Sequence, residues 1–91
     1  MGVGEGSTAR FELLTRPSCH LCDLMEAVLR HGLSPHGLTY RKVYVDGDAQ
    51  LKSLYSDTVP VLLADGREVA RVTLRSAELE RIVSGLDDVS K

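Results

Sequence analysis

No sign of charge dominates this 91-residue chain: 11 Lys and Arg stand against 13 Asp and Glu, a formal net charge of −2. The signs are mixed along the chain, so there is no basic face for a nucleic-acid backbone or an anionic membrane. No apolar run approaches the ~20 residues of a membrane span. Met1 to Ala9 lacks the basic n-region and the apolar h-region of a secretory signal. Met1-Gly2 begins a myristoylation pattern, but Gly6 stands where Ser or Thr is required. Cysteine is scarce: there are two, Cys19 and Cys22, and a bridge across so short a loop stabilises little. No internal repeat and no long linker divides the chain. These absences leave one small domain, expected as a monomer in a reducing cytoplasm. There, a close cysteine pair is more often catalytic or metal-binding than structural.

Hydrophobic residues make up 43% of the sequence, enough to build a core without a staple. Residues 1–9 hold almost nothing apolar and are expected to be a disordered leader. Residues 10–86 form the domain, and 87–91 a polar tail. Arg10 to Thr15 reads as a buried strand ended by Pro17. From about Cys19 to His31, Leu21, Leu24, Met25, Val28 and Leu29 recur at the helical period and are expected to be core, with Leu21 at the rim. Gly32 is expected to close that helix in the left-handed conformation. Leu38 to Val45 is a second strand, rich in β-formers. Asp48 caps a short helix to Tyr55, with Leu51, Leu54 and Tyr55 inward. Val59 to Ala64 is a strand with Pro60 near its start. Asp65-Gly66 turns a hairpin. The returning strand, Arg67 to Thr73, should carry Val69 and Val72 inward. Ser76 is expected to cap a last helix bearing Leu79, Ile82, Val83 and Leu86, ended at Gly85. The order is β-α-β-α-β-β-α, an α/β plan with a four-stranded mixed sheet and helices on both faces. Its first strand–helix–strand has the size of a right-handed βαβ unit.

The chemistry-bearing stretch is Arg16-Pro17-Ser18-Cys19-His20-Leu21-Cys22-Asp23. It sets C-x-x-C at the start of a helix. A thiol there faces free backbone N–H groups and the positive end of the helix dipole, which favour the reactive thiolate. The second sulfur lies about one turn on, close enough to close a disulfide. The pattern reads as a redox switch, with His20 a candidate partner for the Cys19 thiolate.

With Asp48-Ala49-Gln50-Leu51-Lys52-Ser53-Leu54-Tyr55 and Val59-Pro60-Val61-Leu62, this motif resembles the glutaredoxin-like proteins of the thioredoxin fold, in particular small bacterial dithiol members, over about residues 10–85. The resemblance implies a thiol–disulfide oxidoreductase with Cys19 as nucleophile and Cys22 as resolving cysteine. It implies a cis bond at Pro60 facing the disulfide. A cis turn there would leave the Val59 backbone free to pair with an extended substrate. It also sets Arg16 against a glutathione carboxylate. Glutathione or another low-molecular-weight thiol is then the expected reductant, with a flavoprotein reductase as runner-up and a disulfide-containing protein as partner; no bound cofactor is implied. The family's glycine pair before the last helix is absent: the stretch here is Ala70-Arg71-Val72-Thr73-Leu74-Arg75-Ser76.

Two other functions use the same cysteines. One is metal or iron–sulfur carriage. Cys19, Cys22, His31 and His36 echo a zinc finger, but one helix of roughly 18 Å at ~1.5 Å per residue separates Cys19 from His31. A cluster shared by two chains would instead draw four thiolates from two C-x-x-C pairs. The other is a binding module of this fold without turnover.

Overall fold

The computed structural model describes residues 10–89; the expected leader lies outside the described residues. Four strands, β1 (Phe11–Thr15), β2 (Tyr40–Tyr44), β3 (Val61–Ala64) and β4 (Arg67–Arg71), form one sheet in the order β2-β1-β3-β4. Three helices, α1 (His20–Leu33), α2 (Ala49–Tyr55) and α3 (Ser76–Val89), complete the expected element order. β1 is central. It runs parallel to β2 and antiparallel to β3, and β3 pairs antiparallel with β4.

The alternation of β1 divides the interior in two. Phe11 and Leu13 join Leu62 and Ala64 beneath Met25, Leu29 and Leu33 of α1 and Leu79, Val83 and Leu86 of α3. Leu14 points the other way, into a smaller cluster with Val45 and Val61 against which Leu51 and Tyr55 of α2 pack. Each fully buried aliphatic side chain contributes about 1.5–3 kcal/mol. Exposed ion pairs such as Arg10–Asp65 and Arg71–Glu68 add at most about 1 kcal/mol each, so the core decides the stability. Among the described residues no helix is long and apolar enough to cross a membrane.

Several expectations are corrected. On α1 the buried stripe is Cys22, Met25, Leu29 and Leu33, so the second cysteine heads the core-facing row. Leu24, expected in the core, is 51% exposed, while Leu21, expected at the rim, is 42% exposed; a broad apolar arc does not reveal its own centre. Gly32 is not a cap but an interior residue of α1. A Cβ there would lie 2.4 Å from Leu79 Cδ2, so the glycine lets α1 and α3 approach. The left-handed closure belongs to Gly37 (φ 69°), which ends the 3-10 turn Ser34–His36. Leu54 on α2 faces solvent, 62% exposed.

The hairpin turns through Asp65 and Gly66, both at positive φ, the two-residue geometry that matches strand twist. Leu63 pairs with Glu68 and Leu62 with Ala70. Val69 is therefore the extra residue of a bulge; it is 38% exposed at the edge of the α3 face near Ile82, and Val72, beyond the strand's end, is 37% exposed. At the start of α3 the Arg75 carbonyl accepts from Leu79 N–H, and the Glu78 carboxylate accepts from Arg75 N–H at 2.8 Å. Arg75, not Ser76, holds the cap position, with one half of a capping box. α3 continues through Gly85 to Val89.

A polar clamp joins α1 to the edge strand. Tyr40 Oη donates to Glu26 Oε2 at 2.5 Å, and Lys42 Nζ lies 3.3 Å from Glu26 Oε1. The tyrosine hydroxyl, with Lys42 and Arg30, holds the Glu26 carboxyl below its ordinary value; burial and the carboxylate push the Tyr40 phenol up to about 12.

Gly32→Ala gains about 1 kcal/mol of helix preference but overpacks Leu79, which costs about 1–3 kcal/mol. Its urea midpoint should fall by the equivalent of about 1 kcal/mol, with less than additive loss when combined with Leu79→Val. Tyr40→Phe tests the clamp. Because Glu26 is depressed in the folded state, its contribution is present above the ordinary carboxylate range and is lost as pH falls through the folded value. The stability gap between wild type and Tyr40→Phe should be about 1–2 kcal/mol at pH 7 and close below about pH 4. The raised phenol makes the opposite contribution, complete below about pH 10 and lost as pH rises towards 12.

Candidate functional site

The sheet gathers one set of chain turns at a single end. Thr15 closes the parallel ladder opposite Tyr44, and Leu14 faces Val61 at the start of β3. The chain leaving β1 therefore enters the cysteine turn beside the Val45–Gly47 turn and beside the chain entering β3. Val59-Pro60 is cis, as the resemblance implies, and Pro60 is buried. The Pro60 carbonyl accepts from Val72 N–H at 2.7 Å, which brings the segment after β4 to the same end.

Cys19 is the N-cap of α1. Its backbone is extended, its carbonyl accepts from Asp23 N–H, and its Sγ accepts from Cys22 N–H at 3.1 Å. Ser18 before it, at φ 58°, turns the chain from strand to helix. The sulfurs are joined, with Cα atoms 5.2 Å apart, inside the range a disulfide spans. Cys19 is half-buried, whereas Cys22 is 2% exposed within the core-facing row of α1. A reagent arriving from solvent meets Cys19 first.

The remaining predicted residues are placed as follows. His20 is exposed on the first turn of α1, and among the described residues no hydrogen bond ties its ring to Cys19. Arg16 is engaged: its Nε lies 3.0 Å from Asp46 Oδ1 in the turn after β2, and its Nη1 donates to the Ser56 carbonyl at 3.5 Å. The expectation of a free Val59 backbone is corrected in part, since its N–H donates to the Tyr55 carbonyl at 3.1 Å. Among the described residues no group of three or more His, Cys, Asp or Glu converges to hold a metal ion.

The glutaredoxin-like domain (DUF836) model matches residues 10–85. The chain belongs to the glutaredoxin-like family. A structural-genomics target protein from X. campestris is 30% identical with a TM-score of 0.71, over 82% of this chain and 96% of that one. Protein Ne2328 from Nitrosomonas europaea has the same identity and TM-score, over 81% and 89%. Glutaredoxin C1 from Populus tremula x tremuloides shares the fold at 20% identity and TM-score 0.60, over 92% and 81%. Among curated proteins none matches the chain. The family carries the thioredoxin-like fold expected from the element order, and its C-x-x-C pair supports a thiol-redox role.

The sequence reading missed what stands across from the cysteine helix in this family member. Thr73 N–H donates to the Arg71 carbonyl at 2.7 Å with Val72 between them at φ 70°. That is a γ-turn of the strained hand, centred on a β-branched residue where only glycine is comfortable. Such a conformation costs on the order of 1–3 kcal/mol. Val72 and Leu74 line a groove of about 360 Å³ with Leu21, Leu24 and Val28. No sequence signal marks a positive φ at valine; the absence of glycine points the other way.

Proposed function

We propose that this protein is a dithiol–disulfide oxidoreductase. The Cys19 thiolate attacks one sulfur of a substrate disulfide, forms a mixed disulfide and expels the other half as a thiolate. Cys22 then attacks Cys19 Sγ, closes the Cys19–Cys22 bond and releases the second half. Two electrons pass from the cysteine pair to the substrate, and the two cysteine protons end on the released thiols. The supporting observation is the asymmetry of the pair: Cys19 caps the helix within reach of solvent, and Cys22 is shielded one turn below. A buried partner close to the first sulfur suits fast intramolecular resolution better than attack on an outside disulfide. The partner is a disulfide-containing protein, reduced by a monomeric cytoplasmic enzyme.

For the return step the family resemblance supports glutathione or another low-molecular-weight thiol as reductant. One observation favours the alternative, a flavoprotein reductase: Arg16, the cation expected for a glutathione carboxylate, is paired with Asp46.

Reduction of hydroxyethyl disulfide should fall to background in Cys19→Ser. Cys22→Ser should accumulate a mixed disulfide visible by mass spectrometry. Full turnover by Cys19→Ser would falsify the assignment. Coupled assays with glutathione and with a flavoprotein reductase then identify the recycling system; if Arg16 serves the tripeptide, Arg16→Ala should raise KM for glutathione more than it lowers kcat.

A further inference from the structure

We propose that Val72, with Leu21 and Leu24, selects among substrates: the protein prefers a disulfide in an extended segment that carries an aliphatic side chain near its cysteine, over the charged tripeptide glutathione. This rests on the redox reading above and names its substrate class.

The groove begins inside the redox motif, because Leu21 lies between the two cysteines. It follows α1 through Leu24 to Val28 and is walled opposite by Val72 and Leu74. Seven residues of helix at ~1.5 Å per residue span about 10 Å, the length of about three extended residues. In this proposal a peptide joined to Cys19 lays its next few side chains along this wall. The volume of about 360 Å³ accepts a few aliphatic groups, and among the described residues no charged side chain lines it. Leu21, Leu24 and Val72 are 42%, 51% and 37% exposed, so apolar surface lies open beside the disulfide, where it gains by being covered.

Val72 is informative because glycine would make the same turn without strain. The chain holds a branched side chain there, clamped by bonds from Val72 N–H to Pro60 and from Thr73 N–H to Arg71. Strain of this kind persists where the surroundings over-determine it, and it clusters at ligand clamps. Charge agrees. The Arg16 guanidinium is paired with Asp46, and the Arg75 N–H at the start of α3 is occupied by Glu78. Each already has a carboxylate partner within the chain.

The test uses reduced full-length protein and synthetic peptides with one cysteine, each as a mixed disulfide with mercaptoethanol. The residue two positions after the cysteine is Leu, Ala or Glu. Second-order rates of protein oxidation are measured by stopped flow, beside oxidised glutathione. Wild type should favour Leu over Ala by about tenfold, about 1.4 kcal/mol, and take Glu and glutathione more slowly than Ala. Val72→Gly and Leu24→Gln should each lower the Leu-to-Ala ratio to about two- to threefold. The ratio within one variant cancels any change in the reactivity of Cys19. Leu54→Gln, on exposed α2 away from the groove, should keep the wild-type ratio. A ratio near one in wild type, a ratio unchanged in either groove variant, or glutathione faster than the Leu peptide overturns the proposal and leaves the oxidoreductase reading standing. Failure of every disulfide to oxidise the protein overturns both.

Discussion

The double pairing of β1 is the constraint on which the rest of the molecule depends. Its ladder to β2 sets Thr15 against Tyr44, and its ladder to β3 sets Leu14 against Val61. Together these registers decide which three chain turns meet at one end of the sheet. A slip of one residue would send Phe11 and Leu13 out of the main core and Leu14 into it. That core, between the sheet, α1 and α3, is where most of the apolar area is buried. The burial that stabilises the fold therefore also positions the cysteine turn beside the cis Val59-Pro60 bond.

α1 serves packing and chemistry from neighbouring faces. Its buried row begins at Cys22 and runs through Met25 and Leu29 to Leu33. The resolving sulfur is thereby anchored by the same contacts that hold the helix to the sheet. Cys19, three residues earlier, stands at the cap, where it meets the first free N–H groups of the helix. Gly32, at the far end, lets α3 approach closely enough for Leu79 to fill the space a side chain would take.

The segment from Arg71 to Glu78 shows the opposite economy. A valine is held at positive φ, an aliphatic wall is left in solvent, and a carboxylate closes the head of α3. The first two depart from what stability alone would select, whereas the carboxylate caps the helix. Local conflicts of this sort gather where a protein meets its ligands, and this one lies across from the only cysteines in the chain.

The sequence by itself determined the element order, the two-residue hairpin at Asp65-Gly66, the Asp48 cap and the C-x-x-C at a helix start. All of these rest on local periodicity or on side-chain chemistry within a few residues, which a linear reading captures. Only the tertiary structure decided the rest. Leu24 and Leu54 belong to apolar stretches yet face solvent, because a helix buries only the arc that its neighbours cover. Val69 stays 38% exposed at the edge of the α3 face, where a bulge against Leu62 and Leu63 breaks the alternation. Gly32 packs rather than caps, because α3 arrives there from more than forty positions away in the chain. Arg16 meets Asp46 only once β1 and β2, distant in sequence, lie side by side. Such contacts are set by how separate elements fill space together, and no window of neighbouring residues contains that information.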